Sequence, residues 1–86
     1  MDQLIERLRT LVETNCREIL DEDHLLCVDA VGGSENVVFE VHCDKADIGL
    51  IIGKNGCNIE ALRTVVLAAR RGVKIRTTVE VLNSRR

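Results

Sequence analysis

The sequence predicts a single α+β domain, ordered α-β-β-α-α-β, in which three helices cover one face of a three-stranded sheet. Apolar residues recur at helical spacing over residues 3–20 and 57–71, and they alternate with polar residues over 37–43 and 73–82. No proline, repeat or linker interrupts the chain. Because 86 residues form only one core, the domain is expected to span residues 1–86.

The first half of the chain is expected to form a helix and two strands. Residues 3–20 carry an apolar stripe with charged residues between its members, which is typical of a surface helix. Residues 24–31 are rich in valine and leucine and precede the turn 32–34, so they predict a strand. Strict alternation predicts a second, half-buried strand over 37–43. The helical stripe consists of Leu4, Ile5, Leu8, Leu11, Val12, Cys16, Ile19 and Leu20.

The second half is expected to form two helices and a strand. Asp44 is the predicted N-cap of a short helix over 45–52, and Asp47 three residues later suggests a capping box. This helix ends at the glycine that follows it, and a longer helix is predicted over 57–71. Alternation over 73–82 then predicts the third strand, with a polar outer face.

Composition excludes several classes of protein. Phe39 is the only aromatic residue, which argues against a surface that binds nucleic acid by stacking bases on rings. The formal net charge is −2, but it is unevenly distributed along the chain. Residues 1–52 hold four basic and twelve acidic side chains, whereas residues 53–86 hold eight basic and two acidic ones. An acidic protein with a positive face is therefore expected.

Membrane, metal and catalytic functions have little support in the sequence. Its apolar stretches are far shorter than the roughly 20 residues of a membrane span, and no signal peptide is recognisable, so a cytoplasmic location is expected. The four cysteines form no CxxC pair, which predicts reduced, mostly buried thiols and no metal site. No nucleophile, base or carboxylate pair is grouped as in an enzyme, so no catalysis and no cofactor are predicted.

The segment Gly53-Lys54-Asn55-Gly56 predicts an anion site. It precedes the N-terminus of a helix, where unpaired N–H groups and the helix dipole attract phosphate. The glycines permit backbone angles that a side chain forbids and let a phosphodiester approach the chain, and Lys54 adds a positive charge. A nucleotide P-loop is excluded because the residue five before Gly53 is not glycine and Asn55 follows the lysine.

Residues 48–59, IGLIIGKNGCNI, resemble the core signature of the KH domain, in which a GxxG loop joins two helices beside a groove for single-stranded RNA or DNA. A helix and a strand before this core make the order similar to the type II KH arrangement. The length and the continuation over 61–66 resemble the bacterial stand-alone KH proteins of the KhpA group. The resemblance covers essentially the whole chain.

This resemblance implies a binding site for about four nucleotides. The loop 53–56 would clamp the RNA backbone, Gly49 would leave room for a base, and Arg63 would either contact the backbone or pair with Glu60. The apolar walls would be Ile48, Ile51, Ile52 and Ile59. The implied function is that of a small RNA chaperone or post-transcriptional regulator. The implied partners are single-stranded RNA or DNA, a second copy of the chain, and a multidomain KH protein of the KhpB (Jag) type.

Several alternatives stay open. The KH fold could serve as a protein-interaction module with the acidic first half as its surface. Lys74, Arg76 and the basic pair 85–86 either extend a positive track or are simply solvated. The resemblance implies a basic residue just after the second glycine, but this chain has Cys57 there, which is either a small residue at a tight turn or a redox-sensitive thiol.

Overall fold

The computed structural model describes residues 2–20, 24–33 and 35–84. The predicted α+β class and element order are confirmed. The basic pair 85–86, Ser34 of the predicted turn and the two ends of the predicted domain lie outside the described residues. The helices are α1 (Asp2–Ile19), α2 (Lys45–Ile52) and α3 (Cys57–Ala69), the strands are β1 (Leu26–Gly32), β2 (Asn36–Cys43) and β3 (Arg76–Asn83), and a 3-10 turn covers Lys54–Gly56.

The strands form one mixed sheet with β2 in its centre. β1 runs antiparallel to β2 and β3 runs parallel to it, so β3 is an edge strand of the sheet formed by the described residues. Alternate residues of β2 point into the core, where Phe39 has no exposed surface. The intervening residues Val38, Glu40 and His42 are only half-buried on the other face. The prediction that the helices cover one face of the sheet is thereby confirmed.

Three boundaries differ from prediction by two or three residues: β1 begins at residue 26 instead of 24, and the two differences in the second half have a backbone cause. The third helix ends at Ala69 instead of residue 71, because Arg71 and Gly72 adopt left-handed φ angles of 54° and 80° that a helix cannot accommodate. Because the chain turns at these two residues, β3 begins only at Arg76. Ile75 precedes this strand but is only 3% exposed, so the predicted apolar alternation continues beyond the hydrogen-bonded ladder.

The predicted capping box at the start of α2 is wrong. Asp44 occupies the N-cap position, but its side chain forms no capping hydrogen bond. Asp47 is only 4% exposed and instead lies 2.8 Å from Nδ1 of His24. A buried carboxylate requires such a partner. The contact ties the segment before β1 to the first turn of α2, and it therefore helps to position the helix that leads into the glycine loop.

The cysteines divide into two buried and two exposed thiols. Burial raises the pKa of Cys16 to about 11 and also raises that of Cys43, so both remain protonated and unreactive at neutral pH. Cys27 and Cys57 are exposed, and the prediction of mostly buried thiols is wrong for these two. Among the described residues, no three histidine, cysteine or acidic side chains are grouped to hold a metal ion.

Candidate nucleic-acid interface

The loop 53–56 is a tight turn between α2 and α3, and three of its four residues have positive φ angles. Gly53 has φ 82° and ψ 168°, a region that essentially only glycine occupies. Asn55 (φ 56°) and Gly56 (φ 76°) lie in the left-handed helical region, where asparagine and glycine are favoured. Backbone hydrogen bonds from Gly53 N to Gly49 O (2.9 Å) and from Gly56 N to Gly53 O (3.0 Å) fix the turn. The side chains of Lys54 and Asn55 are left exposed.

Gly53 is also required by close packing against the first turn of α3. A Cβ atom built on Gly53 would lie 2.7 Å from Cγ, 2.9 Å from Cβ and 2.9 Å from the backbone N of Asn58. Gly56 is different, because its nearest neighbour to such an atom is Cγ2 of Ile59 at 3.9 Å. The two glycines therefore differ in their packing: Gly53 lets α2 and α3 approach each other, whereas no close packing contact requires glycine at position 56.

Asn58 is a structural residue of this site that the sequence reasoning did not identify. Its side-chain Nδ2 donates a hydrogen bond of 3.0 Å to the carbonyl of Leu50 in the last turn of α2. This bond satisfies a carbonyl that the helix end leaves without an intrahelical partner. It also connects α2 to α3 across the loop. An asparagine two residues after the second glycine is a weak signal, since asparagine is common near helix starts for other reasons.

The predicted apolar walls differ in their accessibility. Ile51 has no exposed surface and Ile59 is 7% exposed, so both lie in the core beneath the helices. Ile48 and Ile52 are partly exposed and pack against that core from its edge. Any apolar contact with a ligand would thus fall mainly to these two side chains. Gly49 lies between them on α2, is exposed, and has open space where a side chain would stand.

Arg63 connects α3 to the free edge of β3. Its Nη1 lies 2.7 Å from Oε2 of Glu60, so the ion pair, one of the two predicted alternatives, is formed. Its Nη2 donates a hydrogen bond of 3.2 Å to the carbonyl of Val79. The arginine side chain is still 44% exposed. It therefore stands over the line where α3 meets β3, with surface available to a further anion.

α2 and α3, which the loop 53–56 joins, both lie against the edge strand β3. Carbonyls and N–H groups on the unpaired side of such an edge strand are available to a ligand. These features define a KH-type module, in which two helices joined by a GxxG loop lie beside the edge of a three-stranded sheet.

Comparison with known proteins agrees with this fold. The sequence profile of the family described as "KhpA/KhpB, KH domain" matches residues 9–81, and the chain belongs to this family. It is 35% identical over 75 residues to the RNA-binding protein KhpA of Aquifex aeolicus, covering 87% of this chain and 95% of the relative. It is 32% identical to the RNA-binding protein KhpA of Clostridium perfringens, covering 87% of this chain and 100% of the relative.

A third similar protein is the RNA-binding protein KhpA of Caldanaerobacter subterraneus, which is 32% identical over 72 residues, or 84% of this chain and 96% of the relative. No solved structure matched the chain. In the described part of the chain, no helix is long and apolar enough to cross a bilayer.

Proposed function

We propose that this protein binds single-stranded RNA in the groove between the loop 53–56 and the edge of β3. The observation that carries the proposal is the loop geometry: two glycines with positive φ form a tight turn between two helix ends, and the side chains of Lys54 and Asn55 are exposed on it. Three similar proteins named RNA-binding protein KhpA support RNA as the ligand. Single-stranded DNA has the same phosphodiester chemistry and is a second ligand to test.

The groove acts by clamping the backbone on one side and admitting bases on the other. About four nucleotides occupy such a site. Their phosphates lie against the loop backbone and Lys54, where the helix N-terminus adds its positive dipole. The bases lie over Gly49 and against Ile48 and Ile52, and their polar edges face the free edge of β3. With no aromatic ring at the site, binding depends on shape, apolar contact and backbone hydrogen bonds.

One groove of this size gives weak and unselective binding, so the physiological role depends on combining sites. A second RNA site linked to the first raises the overall affinity through effective concentration, without any new contact. A homodimer, or pairing with a KhpB-type multidomain KH protein, would supply it. The role we propose is that of a small cytoplasmic RNA chaperone or post-transcriptional regulator, without catalytic activity.

The decisive variant is Lys54→Asp/Asn55→Asp. Its two carboxylates repel phosphate, and aspartate tolerates the left-handed conformation of residue 55, so the fold is expected to remain intact. Affinity for single-stranded RNA is expected to fall about tenfold or more. Fluorescence anisotropy with labelled RNA at several salt concentrations measures this. The wild-type salt slope is expected to be about −1.4 to −2.1, as for two or three phosphate contacts.

A matched control separates the loop from net charge. Gln3→Asp/Arg7→Asp makes the same change in charge on α1, where Arg7 lines a cavity with Ala69 at the opposite end of α3 from the loop. This control is expected to bind RNA nearly as wild type does. Equal loss in both double variants would mean that only the overall charge matters. Absence of RNA binding by the wild type would favour the alternative of a protein-interaction module.

Gly49→Ala is expected to separate stability from binding. A Cβ atom at Gly49 meets nothing within 4 Å, and alanine is a better helix former, so stability should rise by about 0.5–1 kcal/mol. If a base lies over Gly49, the added methyl group occupies its space and RNA affinity falls. Urea unfolding and RNA titration of the same preparation measure the two effects. Unchanged affinity would place the base elsewhere in the groove.

A further inference from the structure

A cavity of about 600 Å³ lies at the end of the sheet where β2 and β3 begin and α3 ends. Most of its lining is polar, and three of the six lining residues are cationic. It is formed by different residues from those of the glycine loop. The lining consists of Glu35, Asn36, Arg70, Lys74, Ile75 and Arg76.

The charge of this cavity favours an anion. Lys74 and Arg76 are exposed, and neither they nor Arg70 belongs to an ion pair among the described residues. Glu35 supplies the only carboxylate of the lining, so the lining carries a net charge of +2 from three cations and one anion. The Nε of Arg70 is buried without a hydrogen-bond partner. A guanidinium beside two further cations is suited to bind phosphate.

One basic side chain of α3, Arg63, lies between the glycine loop and the cavity, and it keeps 44% of its surface exposed beside its ion pair. Arg63 and Arg70 are seven residues apart on α3, which places them on the same face of the helix. Arg63 donates to the carbonyl of Val79, and Nη1 of Arg70 donates to the carbonyl of Ile75. Both arginines therefore lie along the α3–β3 seam, which is the line where α3 packs against β3 and the residue before it. Lys54 precedes them at the N-terminal end of the same helix.

The length of α3 separates the cavity from the loop 53–56. Its 13 residues extend about 20 Å from the loop to the end that Arg70 caps. We propose that a bound RNA strand continues along the α3–β3 seam and places further phosphodiester groups in the cavity at Arg70, Lys74 and Arg76. This inference rests on the proposed function, and it enlarges the RNA site beyond about four nucleotides.

The test compares short and long RNA. Lys74→Ala/Arg76→Ala removes two exposed cations and leaves Arg70, which contacts Ile75, in place. Binding of a 12-nucleotide RNA is expected to weaken about tenfold, with a salt slope about 1.4 smaller in magnitude. Binding of a tetranucleotide, followed by amide chemical shifts in NMR titrations, is expected to remain unchanged. Arg7→Glu changes the net charge equally outside the cavity and is expected to leave both affinities close to wild type.

The outcomes distinguish this inference from the proposed function. If the double variant binds both RNAs like wild type, or weakens both equally, the inference is overturned while loop-dependent tetranucleotide binding still supports the KH site. If the wild type binds neither RNA, both fail. If the variant loses binding of inorganic phosphate but not of the long RNA, the cavity holds a small anion and the inference is overturned. Circular dichroism confirms folding, and Arg76→Ala alone serves if the double variant unfolds.

Discussion

Gly53→Ala is expected to abolish RNA binding and to destabilise the domain, because the added methyl group has no space. It would lie 2.9 Å from the backbone N of Asn58, so no truncation of the Asn58 side chain could relieve the clash. The φ and ψ angles of Gly53 also belong to a region that costs other residues about 1–3 kcal/mol. The loop must therefore change its path and separate α2 from α3. Urea unfolding and RNA titration are expected to show both losses.

The other glycine of the loop supplies the matched control. Gly56 lies in the left-handed region, and a Cβ atom added there would have no neighbour closer than 3.9 Å, so Gly56→Asn is expected to leave stability nearly unchanged. Its RNA affinity is expected to fall, since the new side chain stands where phosphate approaches the backbone. If Gly53→Ala were as stable as Gly56→Asn, close helix packing would not be the reason for glycine at position 53.

The parts of the fold that follow from local chemistry were predictable from the sequence. Helical spacing located α1 and α3, and alternation located β2, because each pattern reports which side of an element faces the core. The glycine at residue 53 also predicted the end of α2 correctly, because glycine ends helices through its own backbone freedom. The position of the loop between two helices therefore follows from local sequence signals alone.

Other features depend on partners distant in the chain and could not be predicted. Asp47 had the position of a capping residue, but its carboxylate binds His24, which lies 23 residues earlier. Ile51 and Ile52 are adjacent in sequence, yet the first is fully buried and the second partly exposed. Only the packing of α2 on the sheet decides between them. The sequence marked two of the cavity's basic residues as a possible positive track, but the cavity itself arises only where the starts of two strands meet the end of α3.

Phe39→Ala is expected to have the largest effect on stability. Phe39 is the only aromatic residue of the chain, has no exposed surface, and lies on the central strand of the sheet between Ala30 and Val79. Removing such a side chain leaves a cavity and costs about 3–5 kcal/mol. A domain of this size has a total stability of about 4–13 kcal/mol. Chemical denaturation is expected to show a variant near the limit of folding, and Phe39→Leu an intermediate loss.

Val38→Ala provides the comparison within the same strand. Val38 points to the opposite face of the sheet and is only half-buried, so its truncation is expected to cost about 1 kcal/mol. Similar losses in Phe39→Ala and Val38→Ala would mean that the core does not lie on the helix-covered face. The proposed RNA-binding groove depends on this asymmetry. α2 and α3 are held against β3 by the buried face, so RNA affinity of Phe39→Ala should fall in proportion to its folded fraction.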